Sequence, residues 1–168
     1  MLMNKKLIGM LPFLDDESIT HAFCEAVREG DKSAVAIAPF LPEDFDWNFV
    51  VNHFFENENS IKLAGFYPFM PKESLTDLFV RMNRENYKTS DVASLMPFVR
   101  AKMIDEVFLN KIREGLPFEH FLPFVSRKCL HQLACDYCEG AMDIPIDSCY
   151  PFMEDEDIRM IFRYFLSK

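Results

Sequence analysis

Residues 67–82 read YPFMPKESLTDLFVRM, one copy of a pattern that recurs along the whole chain. The Pro-Phe dipeptide of this stretch recurs at a regular spacing in six places, at Pro12-Phe13, Pro39-Phe40, Pro68-Phe69, Pro97-Phe98, Pro123-Phe124 and Pro151-Phe152, and one further copy, Pro117-Phe118, lies outside that spacing. Successive prolines are separated by 27, 29, 29, 26 and 28 residues. Because a fixed period of roughly 20–50 residues is typical of repeat proteins, the sequence predicts about six tandem repeats.

A long helix is predicted after each proline. Apolar residues recur 7, 10, 11 and 14 positions after it, as Leu75, Leu78, Phe79 and Met82 follow Pro68. This spacing is one face of an α-helix. Acidic residues at 15–17 and 154–157 mark helix starts. We therefore predict helices of about 13–15 residues, which begin about three residues after each proline. The second repeat is shifted by one residue, so that Trp47, Val50, Val51, Phe54 and Phe55 keep the spacing.

A shorter helix is predicted before each Pro-Phe. Its apolar residues lie mostly five, two and one positions before the proline, as do Val92, Leu95 and Met96 before Pro97. The residue before a proline disfavours the helical region, so we expect the short helix to stop at this step. We also expect the phenylalanine, for example Phe98, to pack between successive repeats.

These observations predict an all-α fold, an α-solenoid of about six ~28-residue helix pairs in a single domain over residues 1–168. In architecture the chain resembles HEAT, armadillo and tetratricopeptide arrays. Its period is shorter than theirs, and the tetratricopeptide pattern of Trp, Gly, Tyr and Pro is absent. The resemblance therefore implies an architecture and assigns no functional residue.

Composition argues against several classes of partner. The chain carries 18 basic and 27 acidic residues, a net charge of −9. No stretch is strongly basic, so we expect no nucleic-acid binding. No apolar stretch approaches the ~20 residues that span a membrane, and the eight-residue run Leu7–Leu14 lacks a cleavage site for a secretion signal. An odd number of cysteines, five, favours free thiols in the cytoplasm.

One stretch contains residues that commonly bind zinc. His131, Cys135 and Cys138 share one helix edge at spacings of four and three residues, and Cys149 on the next short helix is a candidate fourth ligand. The alternative is that Cys135 and Cys138 occupy core positions, where a free cysteine behaves as a small hydrophobic residue. We favour core packing, and we expect no metal and no cofactor.

A second candidate site is an aromatic stripe in the second repeat. Phe45, Phe49 and His53 stand where other repeats carry polar or charged residues, and Met160 and Tyr164 partly repeat this in the sixth. Exposed aromatic clusters mark contact surfaces. The alternative is that the array closes over Phe45 and Phe49 as local core. At the sixth repeat, we expect Met160 and Tyr164 to serve self-association.

The sequence offers little support for catalysis. Its four histidines lie in different repeats, and there is no Walker loop, no H-E-x-x-H and no G-x-S-x-G. We expect a non-catalytic protein–protein interaction or scaffold module, whose acidic surface favours a basic or amphipathic segment as partner. The alternative is a structural homo-oligomer, such as a homodimer. An enzyme or a zinc-dependent protein is the third candidate.

Overall fold

The fold is all-α in the computed structural model, which describes residues 5–57 and 61–168. Within these residues every regular element is an α-helix or a 3-10 helix, and there is no strand. The chain divides into two compact units, Met1–Leu78 and Phe79–Lys168. The all-α prediction is confirmed.

The long helices lie where the repeat predicts them. They are α2 (Asp16–Arg28), α4 (Asn48–Glu56), α5 (Lys72–Arg84), α7 (Ala101–Arg113), α8 (Arg127–Cys138) and α9 (Asp155–Leu166). Five of them begin four residues after the proline of their repeat, but α4 begins nine residues after Pro39. A turn, closed by a hydrogen bond from Phe45 N to Pro42 O, delays its start.

Side chains begin two of the long helices, and one backbone motif ends four of them. Asp15 accepts a hydrogen bond from Ser18 N, and Ser126 Oγ accepts one from Cys129 N. At the other end, a residue with positive φ stands just beyond the helix in α2, α5, α7 and α8: Gly30, Asn86, Gly115 and Gly140. The amide of the residue that follows then donates to the carbonyl of the third residue from the end of the helix, as Asp31 N does to Ala26 O. This arrangement is the Schellman motif.

The short elements are weaker than predicted. True α-helices precede the Pro-Phe step in three repeats: α1 (Lys5–Met10), α3 (Ala34–Ile37) and α6 (Thr89–Leu95). In the other three the corresponding element is a 3-10 helix, at Leu63–Gly65, Glu119–Phe121 and Ile146–Phe152. The polar residues 56–60, ENENS, predict a loop, which lies partly outside the described residues.

The Pro-Phe step differs from our prediction. The residue before the proline stays helical, since Ala38 has φ −49° and ψ −40°, and Met96 has φ −55° and ψ −37°. The helix ends instead after the phenylalanine, where the next residue is extended. Its amide donates to the carbonyl of the residue before the proline in five repeats, from Leu14, Leu41, Met70, Val99 and Met153.

This turn buries the residue before the proline and leaves the phenylalanine partly exposed. Met96 is 1% exposed, whereas Phe98 is 37% exposed and Phe13 is 86% exposed. Leu11, Ala38, Tyr67 and Leu122 are buried like Met96. The prediction that the phenylalanine is a core residue between repeats is therefore wrong, because the apolar side chains before the proline occupy the core.

Each unit has an aromatic core of its own. In the first unit, the buried Phe23 makes edge contacts with Phe45, Trp47 and Phe66 at centroid distances of 5.2, 5.8 and 5.7 Å. In the second unit, Phe108 contacts Phe118 and Phe121 at 5.8 and 6.4 Å. Phe23 and Phe108 both stand eleven residues after their proline, at the position that the repeat predicts to face inward.

The turn predicts the relative cost of two truncations. We expect Met96→Ala to lower the free energy of unfolding by about 2–5 kcal/mol, because it leaves a cavity in the core. We expect Phe98→Ala to cost less, about 1–2 kcal/mol, because more than a third of this residue is already exposed. Urea denaturation of the two variants and the wild type measures both. A larger loss for Phe98→Ala would contradict the observed orientation of the turn.

Candidate functional site

Phe45, the first residue of the predicted aromatic stripe, lies against the core of the first unit. Its ring contacts Phe23 at 5.2 Å and Trp47 at 5.3 Å, both edge-on. Phe23 and Trp47 are buried, and Phe45 itself is half-buried. This packing favours the local-core alternative for Phe45, while a contact with a partner stays a prediction.

Phe49 and His53 form a separate pair on α4. Their rings are stacked with centroids 6.4 Å apart, and the Arg28 guanidinium of α2 lies 5.3 Å from the Phe49 ring. Nδ1 of His53 is 3.4 Å from the side-chain amide of Asn57, whereas Nε2 is buried without a hydrogen-bond partner. Both rings are half-buried, so they line a contact between two helices as well as the surface.

Met160 and Tyr164, predicted to serve self-association, are half-buried on α9. The Tyr164 ring contacts Tyr137 of α8 at 5.7 Å and neighbouring Phe165 at 5.8 Å. The Lys168 ammonium lies 4.5 Å from the same ring. Tyr164 is therefore part of the contact between α8 and α9.

A neighbouring face of α9 carries the most exposed apolar residues of the second unit. Phe162, Phe165 and Leu166, here called the C-terminal face, are 61%, 51% and 71% exposed. Their spacing of three and four residues places them side by side. The repeat predicts all three to face inward, and this prediction is wrong. Periodicity identifies an apolar face, but whether another element covers that face depends on the fold.

The first unit has an exposed apolar surface as well. Leu7, Met10, Phe13 and Leu14, here called the N-terminal face, are all exposed. The exposed acids Asp15, Asp16 and Glu17 follow directly. The exposed bases Arg159, Arg163 and Lys168 accompany the C-terminal face. Sequence analysis did not identify the N-terminal face, although the exposed Pro-Phe of the first repeat lies in it.

The structure brings only some of the predicted zinc ligands together. Nε2 of His131 lies 3.7 Å from Cys135 Sγ, one helical turn away. Nδ1 of His131 is hydrogen-bonded to Asp157 of α9, a buried carboxyl that sequence analysis missed. Cys149 is fully buried, and burial raises the pKa of its thiol to about 11. Among the described residues, no three His, Cys, Asp or Glu side chains form a group that could hold a metal ion.

The surface of the first unit also has an open depression on one of its long helices. This depression of about 410 Å³ lies along α2, and its lining comes from that single helix: Asp16, Glu17, Thr20, His21, Cys24 and Arg28. None of the helices in the described residues is long and apolar enough to cross a membrane.

Comparison with protein-family models, with curated proteins and with solved structures finds no match to this chain.

The His131–Asp157 pair predicts a pH dependence of stability. The hydrogen bond to Asp157 raises the pKa of His131 above its ordinary value of 6.5, and Asp157, Glu156 and Glu154 add electrostatic attraction. When the pKa of a histidine is higher in the folded state, its protonation stabilises the fold, and this contribution is complete at any pH below the pKa of the unfolded state. The contribution is lost as the pH rises through the pKa of His131 in the folded state. We therefore expect the Tm difference between wild type and Asp157→Asn to be largest below about pH 6.5 and to shrink above it.

Thermal unfolding followed by circular dichroism over this pH range measures the difference. Asp155→Asn is the matched control, because it removes one exposed charge from the same helical turn. Burial lowers the pKa of His120, but that contribution is present in every variant and cancels. A pH-independent difference between wild type and Asp157→Asn would contradict the proposed ionic character of the pair.

Proposed function

We propose that the chain is a non-catalytic protein–protein interaction module, a scaffold whose six repeats form one α-solenoid. The recurrence of the helix starts, of the turn at five of the six Pro-Phe steps and of the helix ends in four long helices supports the solenoid. In such arrays each repeat buries its apolar face against its neighbours, which leaves extended surfaces for binding. The single observation that carries the interaction role is the C-terminal face, with three large apolar side chains exposed together.

The partner that we propose for the C-terminal face is the N-terminal face of a second copy of the chain. Both surfaces expose large apolar side chains, so their contact would remove them from water. Their charges are also complementary. The apolar part of α9 is flanked by Arg159, Arg163 and Lys168, and that of the N-terminal face is followed by Asp15, Asp16 and Glu17.

The order of charge along the two segments favours a parallel alignment. The C-terminal segment, residues 154–168, contains α9. It begins with acids at 154–156 and ends with the bases Arg163 and Lys168. The N-terminal segment has Lys6 near its start and acids at 15–17. When two such segments run parallel, opposite charges meet at both ends, whereas an antiparallel alignment places acids against acids. Like charges across an interface are unfavourable, so charge selects one orientation.

Such an interface is heterologous, because two different surfaces of the same chain meet. A heterologous contact repeats from copy to copy and gives either closed rings or open filaments. This distinguishes it from a two-fold dimer in which α9 packs against another α9. The second candidate partner is a different protein with an apolar segment next to acidic residues, which the basic flank of the C-terminal face favours.

A mixing experiment tests the proposal. We expect wild type to associate in a concentration-dependent way, as measured by light scattering after size exclusion. Phe162→Glu and Phe13→Glu should each be monomeric, because each has lost one of the two surfaces. An equal mixture of the two variants should form a one-to-one dimer, since each supplies the surface that the other lacks. Val80→Glu, a substitution at another exposed apolar residue, is the matched control and should behave as wild type.

Other outcomes have distinct meanings. If Phe13→Glu remains a dimer while Phe162→Glu is a monomer, α9 associates with itself and the N-terminal face is not the partner. If wild type is monomeric at about 100 µM, self-association is contradicted and a different protein becomes the candidate partner. Salt provides a further measure, because the contribution of exposed charges is screened at high ionic strength and the apolar contribution is not.

A further inference from the structure

Three side chains of the second unit are arranged as a short hydrogen-bonded chain. Asp157 on α9 is bonded to Nδ1 of His131 on α8, and Nε2 of His131 lies 3.7 Å from Cys135 Sγ. Asp157 is buried with 4% exposure, whereas His131 is exposed and Cys135 is half-buried. The carboxyl is therefore fixed within the fold, while the thiol is accessible from solution.

The hydrogen bond to Asp157 determines which nitrogen of His131 carries the proton, and therefore whether the nitrogen near the thiol can accept one. A carboxylate accepts hydrogen bonds, so Nδ1 carries the proton and donates it to Asp157. In the neutral ring Nε2 is then an acceptor that points toward Cys135. Transfer of the thiol proton to Nε2 gives a thiolate beside an imidazolium, and Asp157 stabilises the imidazolium. The raised pKa of His131 agrees with this stabilisation.

We propose that Cys135 is a nucleophilic modification site for α,β-unsaturated carbonyl compounds, with His131 as its base and Asp157 as the positioning residue. The thiolate, rather than the thiol, is the nucleophile in cysteine chemistry. A base held beside the thiol and oriented by a third group is the usual arrangement of an activated nucleophile. This inference is independent of the proposed scaffold function.

The addition balances without an oxidant or a leaving group. The sulfur of Cys135 forms a bond to the β-carbon of the electrophile, and the electron pair of the carbon–carbon double bond moves toward the carbonyl to give an enolate. The α-carbon then takes up the proton that His131 received from the thiol. The product is a thioether on Cys135, and His131 returns to its neutral form.

The other cysteines of the chain lack this arrangement. Cys129 and Cys149 are buried, and burial raises the pKa of their thiols to about 12 and about 11. Cys24 and Cys138 are half-buried like Cys135, and partial burial raises the pKa of both. Within the described part of the chain, Cys135 is the cysteine whose sulfur lies within hydrogen-bond distance of a histidine ring. Cys24 is therefore an internal reference of similar exposure.

Labelling with a limiting amount of N-ethylmaleimide tests the proposal, with the rate at each cysteine measured by peptide mass spectrometry. At pH 7 we expect Cys135 in wild type to react at least about fivefold faster than Cys24, because the rate depends on the fraction of thiolate. His131→Gln should reduce the rate at Cys135 about fivefold and leave Cys24 unchanged. Equal rates at Cys135 and Cys24 in wild type, or an unchanged rate at Cys135 in His131→Gln, would overturn the proposal.

Asp157→Asn tests the positioning role through the pH profile. In wild type the Cys135 rate should change less with pH near neutrality than the Cys24 rate, because the adjacent base takes up the thiol proton during the addition. The carboxyls that interact with His131 are those of Asp157 and Glu156 in α9 and that of Glu154, which directly precedes the helix. In Asp157→Asn the Cys135 rate should regain the steep rise of an ordinary thiol, about tenfold per pH unit below its pKa. An unaltered profile would exclude Asp157 from this role.

Labelling of buried Cys149 shows whether a variant has unfolded. If Asp157→Asn exposes Cys149, the proposal is judged from the Cys135 rates of wild type and His131→Gln alone. The side chain of His131 is exposed, so its substitution leaves the core intact.

Discussion

One hydrogen bond organises the repeat, and it closes the turn around the Pro-Phe step in five of the six repeats. The residue after the phenylalanine donates its amide to the carbonyl of the residue before the proline, at 3.2 Å in the first and fourth repeats. Proline lacks an amide hydrogen and fits the beginning of a helical turn, so the chain tightens into a 3-10 turn before it extends. The extended residue then redirects the backbone, and the next long helix begins within a few residues.

Much of this fold could be predicted from the sequence, because periodicity and capping residues are local signals. The bounds of α2, α5, α7, α8 and α9 follow from the proline positions and the apolar spacing. Burial of the phenylalanine could not be predicted, because two neighbouring apolar residues compete for the core and the turn decides between them. The prediction that the apolar face of α9 is buried was wrong for a related reason, since periodicity does not show what covers a helix. The residues Asp157 and Cys135 lie 22 positions apart, so only the packing of α9 on α8 reveals their common neighbour His131.

The same architecture accounts for the two functional proposals. Helices of a repeat present regular faces, and where a face is left exposed, it becomes a surface that a partner can cover. The pairing of α8 with α9 also holds a buried carboxyl against a surface histidine, which in turn faces a half-buried thiol. The acidic net charge does not describe the C-terminal face, where Arg159, Arg163 and Lys168 give a local basic character. For the proposed interface, local charge rather than net charge decides which partner is favoured.

The central claim is that the turn around the Pro-Phe step is a closed, hydrogen-bonded element of the native protein in the five repeats that form it. Amide hydrogen exchange followed by NMR tests it most directly, at Leu14, Leu41, Met70, Val99 and Met153. The account predicts that these five amides exchange much more slowly than the same residues in an unfolded chain, since each donates to a carbonyl of its own turn. Exchange at unfolded rates in the core repeats, at Met70 and Val99, would contradict the claim.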